Sequence, residues 1–285
     1  MQRFVVSVMV VALMVAIGLG CSLRDFSTVW KRRIPLLFSL FLNLTVVPGI
    51  ASAVVGLFHL SPASAVGILI CAASPAGPAG PLFALRANGH AATAVTVMVL
   101  LVLLSVFTTP LTISWLAGRS LSIDLNHLVV PMIAMLCMIQ LLPLLIGMLI
   151  RHLNQPVAER LSAPARQLAN ILLILVVGGL LITKGGVVLQ LGVSGLLLCA
   201  LLVLINLAVG ALSSNQGAER RTYSAITGVR NISLALLVSS NYFSDPATEA
   251  AVLTYGLVTT VVPLIVTSIM GALSSSANKK KSLQG

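Results

Sequence analysis

The chain has 285 residues, a formal net charge of +11 and a mean hydropathy of +1.08, and only 8% of its residues are charged. Soluble domains carry about 25% charged residues, so this composition excludes a soluble protein. Nearly every 20-residue window is apolar, and no stretch is long enough for a separate soluble domain. The sequence therefore predicts an all-α polytopic membrane protein, a single transmembrane domain covering residues 1–285.

Nine apolar segments predict nine transmembrane helices. They are residues 4–23, 34–58, 63–85, 91–117, 128–150, 167–183, 187–212, 222–242 and 250–272, followed by a cytoplasmic tail at 273–285. The first segment has a basic start and small residues before Cys21, as a signal peptide does. We expect it to remain as a helix, because its removal would leave the basic residues 24–33 on the translocated side.

The basic residues concentrate in alternate loops, as the positive-inside rule describes for cytoplasmic loops. With the N-terminus outside, the outer side holds Arg3, Arg119 and Lys184. The inner side holds Arg24, Lys31, Arg32, Arg33, Arg86, Arg151, Arg160, Arg166, Arg220, Arg221, Lys279, Lys280 and Lys281. This distribution predicts a bacterial inner (plasma) membrane protein with a cytoplasmic C-terminus. It assigns the positive charge to the lipid bilayer rather than to a nucleic acid.

The titratable residues argue against an enzyme. The acidic residues (Asp25, Asp124, Glu159, Glu219, Asp245 and Glu249) and the histidines (His59, His90, His127 and His152) lie in predicted loops or at span ends. No buried set is therefore expected for acid–base or metal chemistry, and no cofactor is predicted. The four cysteines (Cys21, Cys71, Cys137 and Cys199) are widely spaced within spans and are predicted to be free thiols.

Two of the predicted spans are broken. The third contains Pro75, Pro78 and Pro81 with glycines between them, and three prolines in seven residues cannot continue a helix. The eighth contains the segment TGVRNIS, which places Arg230 about 12 Å along the span from Thr222, near the middle of a roughly 30 Å membrane core. Such backbone is tolerated in a membrane only where it is buried in protein or lines a cavity.

The two breaks are five spans apart, so their helices run in opposite directions. This arrangement predicts an inverted repeat, with residues 4–127 as the first half, lacking one helix, and 128–272 as the second. Asn43 in the second span and Asn206 in the seventh are likewise five spans apart. In secondary transporters, broken helices at corresponding positions place the binding site at the membrane midplane.

The order of the segments LGCSLRDF, SPAGPAGP and GVRNISLAL resembles the bile acid:sodium symporter family, within a superfamily that also includes arsenite permeases. The resemblance implies a core domain and a panel domain, two crossing broken helices, and transport of organic anions by alternating access. Sodium-coupled members have a glutamate where this chain has Ile226, and a glutamine where it has Arg230. Asn231 is kept, Gly80 and Pro81 replace a serine and an asparagine, and the shorter Asn43 replaces a glutamine. These departures make sodium coupling doubtful, and no metal site is assigned.

Arg230 suggests a specific hypothesis. Its guanidinium would stand in for the coupling cation at the crossing, hydrogen-bond to carbonyls of the broken helices, and offer a two-pronged donor to a carboxylate or sulfonate. The alternative is that Arg230 only caps those carbonyls or extends towards the membrane surface. The predicted substrate-binding residues are Arg230, Asn231, Thr227, Ser233, Asn43, Ser74, Gly77 and Gly80. For Asn43 and Asn206 the alternative is a hydrogen bond between helices; Thr254, Tyr255, Thr259 and Thr260 line a cavity or pack.

The predicted function is a secondary transporter for a small organic anion such as a bile-acid-like carboxylate or sulfonate. Three alternatives remain open at this point. The first is a sodium:organic anion symporter with a remodelled ion site. The second is a membrane sensor or assembly subunit that does not transport. The third is an arsenite-type permease, which a requirement for Cys71 would favour.

Overall fold

The computed structural model describes residues 2–21, 29–58, 60–121, 125–190, 192–243 and 245–282, and within these ranges the chain is helical without strands. Asp25 and Asp124 lie outside the described residues. The helices are α1 (Gln2–Gly20), α2 (Arg33–Phe41 and Val47–Val55, joined by a π-helical turn at Leu42–Val46), α3 (Pro62–Ala72), α4 (Gly80–Arg86), α5 (Ala91–Leu121), α6 (Val129–Leu136 and Leu142–Leu153, joined by a π-helical turn at Cys137–Leu141), α7 (Gln155–Gln190), α8 (Gly192–Ala211), α9 (Gly217–Gly228), α10 (Ile232–Tyr242) and α11 (Pro246–Ser282).

Seven of these helices are long and apolar enough to cross a membrane, counting only the described residues: α1, α2, α5, α6, α7, α8 and α11. The third and eighth predicted spans are each divided into two shorter helices, α3 with α4 and α9 with α10. The chain is thus an all-helical, multi-pass membrane protein, and both breaks occur where the sequence placed them.

Proline and polar caps determine where these short helices begin. Pro62 occupies the first turn of α3, and the Ser61 side chain accepts a hydrogen bond from the Ser64 amide at 3.2 Å. The Asn231 side chain accepts one from the Leu234 amide at 3.1 Å and so caps α10. An asparagine at this position satisfies an amide that the break would otherwise leave unpaired.

The two π-helical turns also have a local cause. Each ends just before a proline, Pro48 in α2 and Pro143 in α6. A proline ring clashes with the carbonyl four residues earlier, and a wider turn relieves that clash while the helix continues. Each turn contains one buried amide side chain, Asn43 in the first and Gln140 in the second. The turns therefore aim polar groups out of otherwise apolar helices.

The helices pack as two groups. In the first, which we call the three-helix group, α1 packs against α6 and α7. Gly18 and Gly147 allow the close approach of α1 and α6: a Cβ added to either would lie 2.9 Å from the other's Cα. The remaining helices form the crossover group around the two breaks. The groups touch where α1 meets α10, where α7 meets α11 and where α5 meets α6.

Helix α11 continues to Ser282, within the predicted tail. Two expectations from the sequence are corrected. The predicted loop 151–166 is largely helical, because α7 extends from Gln155 to Gln190 and its interior accommodates Pro164. Glu219 and Glu249 lie in the first turns of α9 and α11, and both are buried rather than in loops. The sequence placed both residues in loops because they are charged. A carboxylate is also favourable in the first turn of a helix, where it interacts with the helix dipole.

The buried Glu219 side chain has partners. Arg32, beside the start of α2, forms an ion pair with Glu219 at 2.6 Å and also hydrogen-bonds to the Gln216 side chain. The Ser214 hydroxyl donates to the second carboxylate oxygen at 2.9 Å. Glu219 therefore ties α2 to α9 within the crossover group, and its charge is satisfied locally.

Candidate functional site

The two breaks cross in direct contact. The Gly77 amide donates a hydrogen bond to the Val229 carbonyl at 3.0 Å, and the Asn231 amide donates to the Ser74 carbonyl at 2.9 Å. These two bonds pair backbone groups that the broken helices leave without intrahelical partners. The contact between segments 75–81 and 227–233 that the sequence predicted is therefore present.

Glycine is needed where the breaks approach most closely. A Cβ added to Gly77 would lie 2.7 Å from the Val229 side chain, and closer still to the Arg230 carbonyl oxygen. One added to Gly80 would lie 2.8 Å from the end of the Ile226 side chain. Ala76, beside Gly77, adopts a φ of 56°, a left-handed conformation that is unfavourable for alanine. Gly77 thus allows the two backbones to approach closely, while Gly80 packs against the end of the Ile226 side chain.

Thr259 of α11 holds the second break in place. Its hydroxyl accepts a hydrogen bond from the Arg230 amide at 3.2 Å and donates one to the Gly228 carbonyl at 3.0 Å. The backbone on both sides of Val229 is therefore anchored by one side chain from a neighbouring helix. The sequence left two roles open for Thr259, lining a cavity or packing. The structure shows Thr259 packed at the second break, where its hydroxyl bonds to the backbone.

We expect Thr259→Val, which keeps the side-chain shape, to destabilise the protein by about 1–3 kcal/mol because two buried backbone groups lose their partner. The neighbouring Thr260→Val is the matched control, since the Thr260 hydroxyl is exposed and bonds only within its own helix, to Gly256. Thermal unfolding in detergent measures both. Equal midpoints for the two variants would contradict the assigned role of Thr259.

The Arg230 side chain is buried at this crossing, with 1% of its surface exposed. None of its three guanidinium nitrogens has a hydrogen-bond partner among the described residues, and it takes part in no ion pair there. The expected bonds to break carbonyls are thus not made, nor does the side chain extend to the surface. Tyr255 and Cys71 lie close enough to interact with it electrostatically. A buried guanidinium whose five N–H donors all lack partners is costly unless a bound ligand accepts hydrogen bonds from them.

Among the other predicted binding residues, some keep an unpaired polar atom and some do not. Asn231 and Asn43 each keep one side-chain atom buried and unpaired among the described residues, Nδ2 in Asn231 and Oδ1 in Asn43. The Asn43 amide donates to the Thr227 hydroxyl at 2.8 Å, so it also makes the bond between helices that was its alternative role. The Ser74 hydroxyl, at the first break, donates to the Ile70 carbonyl near the end of α3, and Ser233 is buried.

Asn206 makes the bond between helices that the sequence favoured. Its side-chain amide donates to the Tyr255 hydroxyl at 3.1 Å, which joins α8 to α11. Tyr255 is also one of the electrostatic neighbours of Arg230. Asn206 therefore holds in place a side chain that lies near the guanidinium.

Four of the five replaced sodium-ligand positions of the resemblance supply no side-chain oxygen for a sodium ion, and the fifth, Asn43, keeps an Oδ1 that is unpaired among the described residues. Ile226 is apolar, Arg230 is itself a cation, and neither Gly80 nor Pro81 has a side-chain oxygen. Hard cations require several oxygen ligands. In the part of the chain that the structure describes, no group of three His, Cys, Asp or Glu side chains could hold a metal ion.

Sequence reasoning missed Gln140 and Thr109. Gln140 of α6 is fully buried, and its amide nitrogen donates to the Val102 carbonyl and to the Ser105 hydroxyl of α5, both at 2.9 Å. One turn further along α5, the Thr109 hydroxyl donates to the Ala73 carbonyl at the first break, at 2.7 Å. A polar row thus runs from the three-helix group to the crossing. Gln140 is the one strongly polar side chain within the predicted span 128–150, and that isolation was the available signal.

A comparison with protein families identifies the family of this chain. The model of the sodium bile acid symporter family matches residues 7–191, which is more than half of the chain. This chain belongs to that family. Its members are transporters rather than enzymes, and the chain is accordingly a multi-pass membrane transporter. The symporter-family match covers the first break and ends before the second, where Arg230 lies. No curated protein matches the chain.

Proposed function

We propose that the chain is a secondary transporter that moves a small organic anion, a bile-acid-like carboxylate or sulfonate, across the bacterial inner membrane by alternating access. Nine passes, with the N-terminus outside and the C-terminus cytoplasmic, would form an inverted repeat from residues 4–127 and 128–272. The anion would bind at the crossing of the two breaks. The other predicted ligands are Asn231, Thr227, Ser233, Asn43, Ser74, Gly77 and Gly80.

One observation carries this proposal: the guanidinium of Arg230 is buried at the crossing with no hydrogen-bond partner among the described residues. Placing an arginine at membrane depth costs about 2.5–3.5 kcal/mol on insertion scales. An anion that entered the crossing would recover part of that cost through charge-assisted hydrogen bonds, in a geometry that suits a carboxylate or a sulfonate. The unpaired Nδ2 of Asn231 would add a donor to the anion, whereas the unpaired Oδ1 of Asn43 would accept only from a hydroxyl elsewhere on the substrate.

The proposed motion is a movement of the three-helix group against the crossover group. Rigid-body movement of one bundle against another around a fixed site is the general basis of alternating access. The hydrogen bonds of Gln140 to Val102 and Ser105 join the two groups, so they would break and re-form in each cycle. Gln140 would in this way link the movement to the crossing.

Uptake into proteoliposomes tests the function directly. Purified protein reconstituted into liposomes is expected to accumulate radiolabelled cholate, a carboxylate, or taurocholate, a sulfonate, faster than empty liposomes do. Binding of either anion without uptake would instead favour a sensor. If neither anion is bound nor taken up, the bile-acid-like substrate class is wrong.

We expect uptake to be independent of sodium, because Arg230 supplies a fixed positive charge and the sodium-ligand positions lack a carboxylate. Replacing external sodium by choline should therefore leave the initial rate within about twofold, since coupling between two ligands is typically about 1–3 kcal/mol, or about 5–150-fold. A loss of uptake in choline would favour the alternative of a sodium:organic anion symporter with a remodelled ion site.

Two buried thiols, one of them next to Arg230, favour one second candidate, an arsenite-type permease. Cys71 of α3 and Cys199 of α8 are both buried, and they lie close enough to interact electrostatically with each other. Soft thiol ligands suit metalloids. Arsenite uptake that is lost in both Cys71→Ala and Cys199→Ala, while cholate and taurocholate are not transported, would support this candidate over the organic-anion transporter.

A further inference from the structure

A groove of about 410 Å³ opens between α8, α9 and α11, away from the crossing. Its apolar wall consists of Leu204, Leu207, Ala208, Ala211, Val266 and Met270. Leu204 and Ala208 are exposed, on a face of α8 that also exposes Leu197 and Leu201. The groove is therefore open to the surroundings of the helix bundle rather than enclosed within it.

Two arginines, Arg220 and Arg221 in the first turns of α9, complete the lining of this groove. Arg220 is exposed. Arg221 uses Nη2 to donate to the Asn88 carbonyl at 2.9 Å, while its Nε is buried and has no partner among the described residues. Arg221 is thus held beside the groove by its bond to the Asn88 carbonyl.

Among the residues that the structure describes, no acidic side chain lines the groove. Glu219, which precedes the two arginines in the sequence, is engaged by Arg32 and by the Ser214 hydroxyl, so it does not neutralise them. One end of the groove is therefore cationic, because the two arginines have no carboxylate partner there among the described residues. The rest of the groove is lined by the apolar wall. The same end of the bundle carries the Arg86–His90 connection, since Asn88 also bonds to Gly271 of α11.

We propose that this groove binds one anionic phospholipid, with its phosphate on Arg220 and Arg221 and an acyl chain along the wall formed by α8 and α11. A basic pocket between transmembrane helices is the type of site that selects phospholipid head groups. Guanidinium groups match a phosphate with paired hydrogen bonds, and the apolar wall accounts for a ligand with a hydrocarbon chain rather than a soluble anion. The site is separate from the crossing and does not depend on which substrate the crossing binds.

The bound lipid would connect the elements that hold the second break. Ser224 of α9, one helical turn before Gly228, also lines the groove. Its hydroxyl donates to the Leu207 carbonyl of α8 at 2.7 Å. Leu207 in turn packs against Gly228. A lipid seated between α8, α9 and α11 is therefore expected to stabilise the folded protein.

Thermal unfolding of the purified full chain in an uncharged detergent tests this site. Added dioleoylphosphatidylglycerol is expected to raise the unfolding midpoint by a few degrees more than dioleoylphosphatidylcholine does. The double variant Arg220→Gln/Arg221→Gln should lose that difference. Lys31→Gln/Arg160→Gln is the matched control, because it removes the same charge from exposed positions outside the groove and should keep the difference. The proposal is wrong if the groove variant keeps the extra stabilisation by dioleoylphosphatidylglycerol. It is also wrong if the control variant loses that stabilisation to the same extent.

A second variant separates the lipid from free phosphate. Ala208→Trp fills the exposed apolar wall and leaves both arginines in place, so it should also abolish the shift that phosphatidylglycerol produces. Inorganic phosphate at the same concentration is expected to produce no shift. An equal shift from inorganic phosphate, or an unchanged lipid shift in Ala208→Trp, would show that the arginines bind phosphate alone and that no acyl chain occupies the groove.

Discussion

Replacing Arg230 by glutamine is expected to weaken binding of the transported anion about 30-fold or more, and to reduce uptake at low concentration by the same factor. Removing one partner of a buried, hydrogen-bonded charge pair costs about 2–5 kcal/mol, and 1.4 kcal/mol corresponds to tenfold. Arg230→Lys keeps the charge but loses the two-pronged donor, so we expect an intermediate loss. Concentration dependence of proteoliposome uptake measures these effects.

The stability of the same variant distinguishes the two roles considered for Arg230. If the side chain capped break carbonyls, its loss would lower the unfolding midpoint. Because its three nitrogens have no partner among the described residues, we expect Arg230→Gln to unfold at the same temperature as the wild-type protein or higher. The exposed Arg160→Gln is the control for both uptake and stability. Normal uptake together with a lower midpoint in Arg230→Gln would assign the residue to the fold instead.

The second large effect is expected for Gly77→Ala. The added Cβ would lie 2.7 Å from the Val229 side chain and would press against the Arg230 backbone, which has no flexible atoms to move aside. The hydrogen bond from the Gly77 amide to the Val229 carbonyl would be strained as well. We expect a loss of about 1–3 kcal/mol in stability, and loss of uptake, because the breaks are forced apart.

Gly178→Ala is the matched control for Gly77→Ala. Gly178 lies within α7, and a Cβ there would meet nothing within 4 Å. Alanine is favoured over glycine inside a helix by up to about 1 kcal/mol, so this variant should be neutral or slightly stabilising. A Gly77→Ala protein that unfolds at the temperature of Gly178→Ala would mean that the breaks do not approach as closely as described.

The sequence predicted the features that depend on local chemistry. Three prolines in segment 75–81 and the Gly–Val–Arg–Asn stretch located both breaks, because proline and glycine act on the helix that contains them. The contact between the breaks was also expected, from the family resemblance, which implies two crossing broken helices. The repeat itself and the count of nine passes remain proposals, since seven of the described helices meet the length and hydropathy expected of a membrane span.

The sequence did not reveal what depends on distant partners. Nothing near Arg230 in the chain shows that its guanidinium is left unpaired, since Cys71 and Tyr255 come from other helices. The role of Thr259 at the second break is likewise set across 31 residues. Gln140 was overlooked because a single polar residue in an apolar span has no meaning until its partners on α5 are known.

Charge was a poor guide to helix ends. The basic and polar residues between 151 and 166 suggested a loop, yet α7 begins at Gln155, because a long amphipathic helix can carry charge on its exposed side. In the same way Glu219 belongs to a helix start, where its carboxylate pairs with Arg32. These errors moved the ends of elements and left the position of the crossing unaffected.

Binding of anions to purified protein, with sodium or choline as the only added cation, tests most directly whether Arg230 is the anion-binding group of the crossing. The wild-type protein is expected to be stabilised against heat by cholate or taurocholate equally in both cations, and Arg230→Gln is expected to lose that stabilisation in both. Stabilisation that requires sodium in the wild-type protein, or that persists undiminished in Arg230→Gln, would contradict this account.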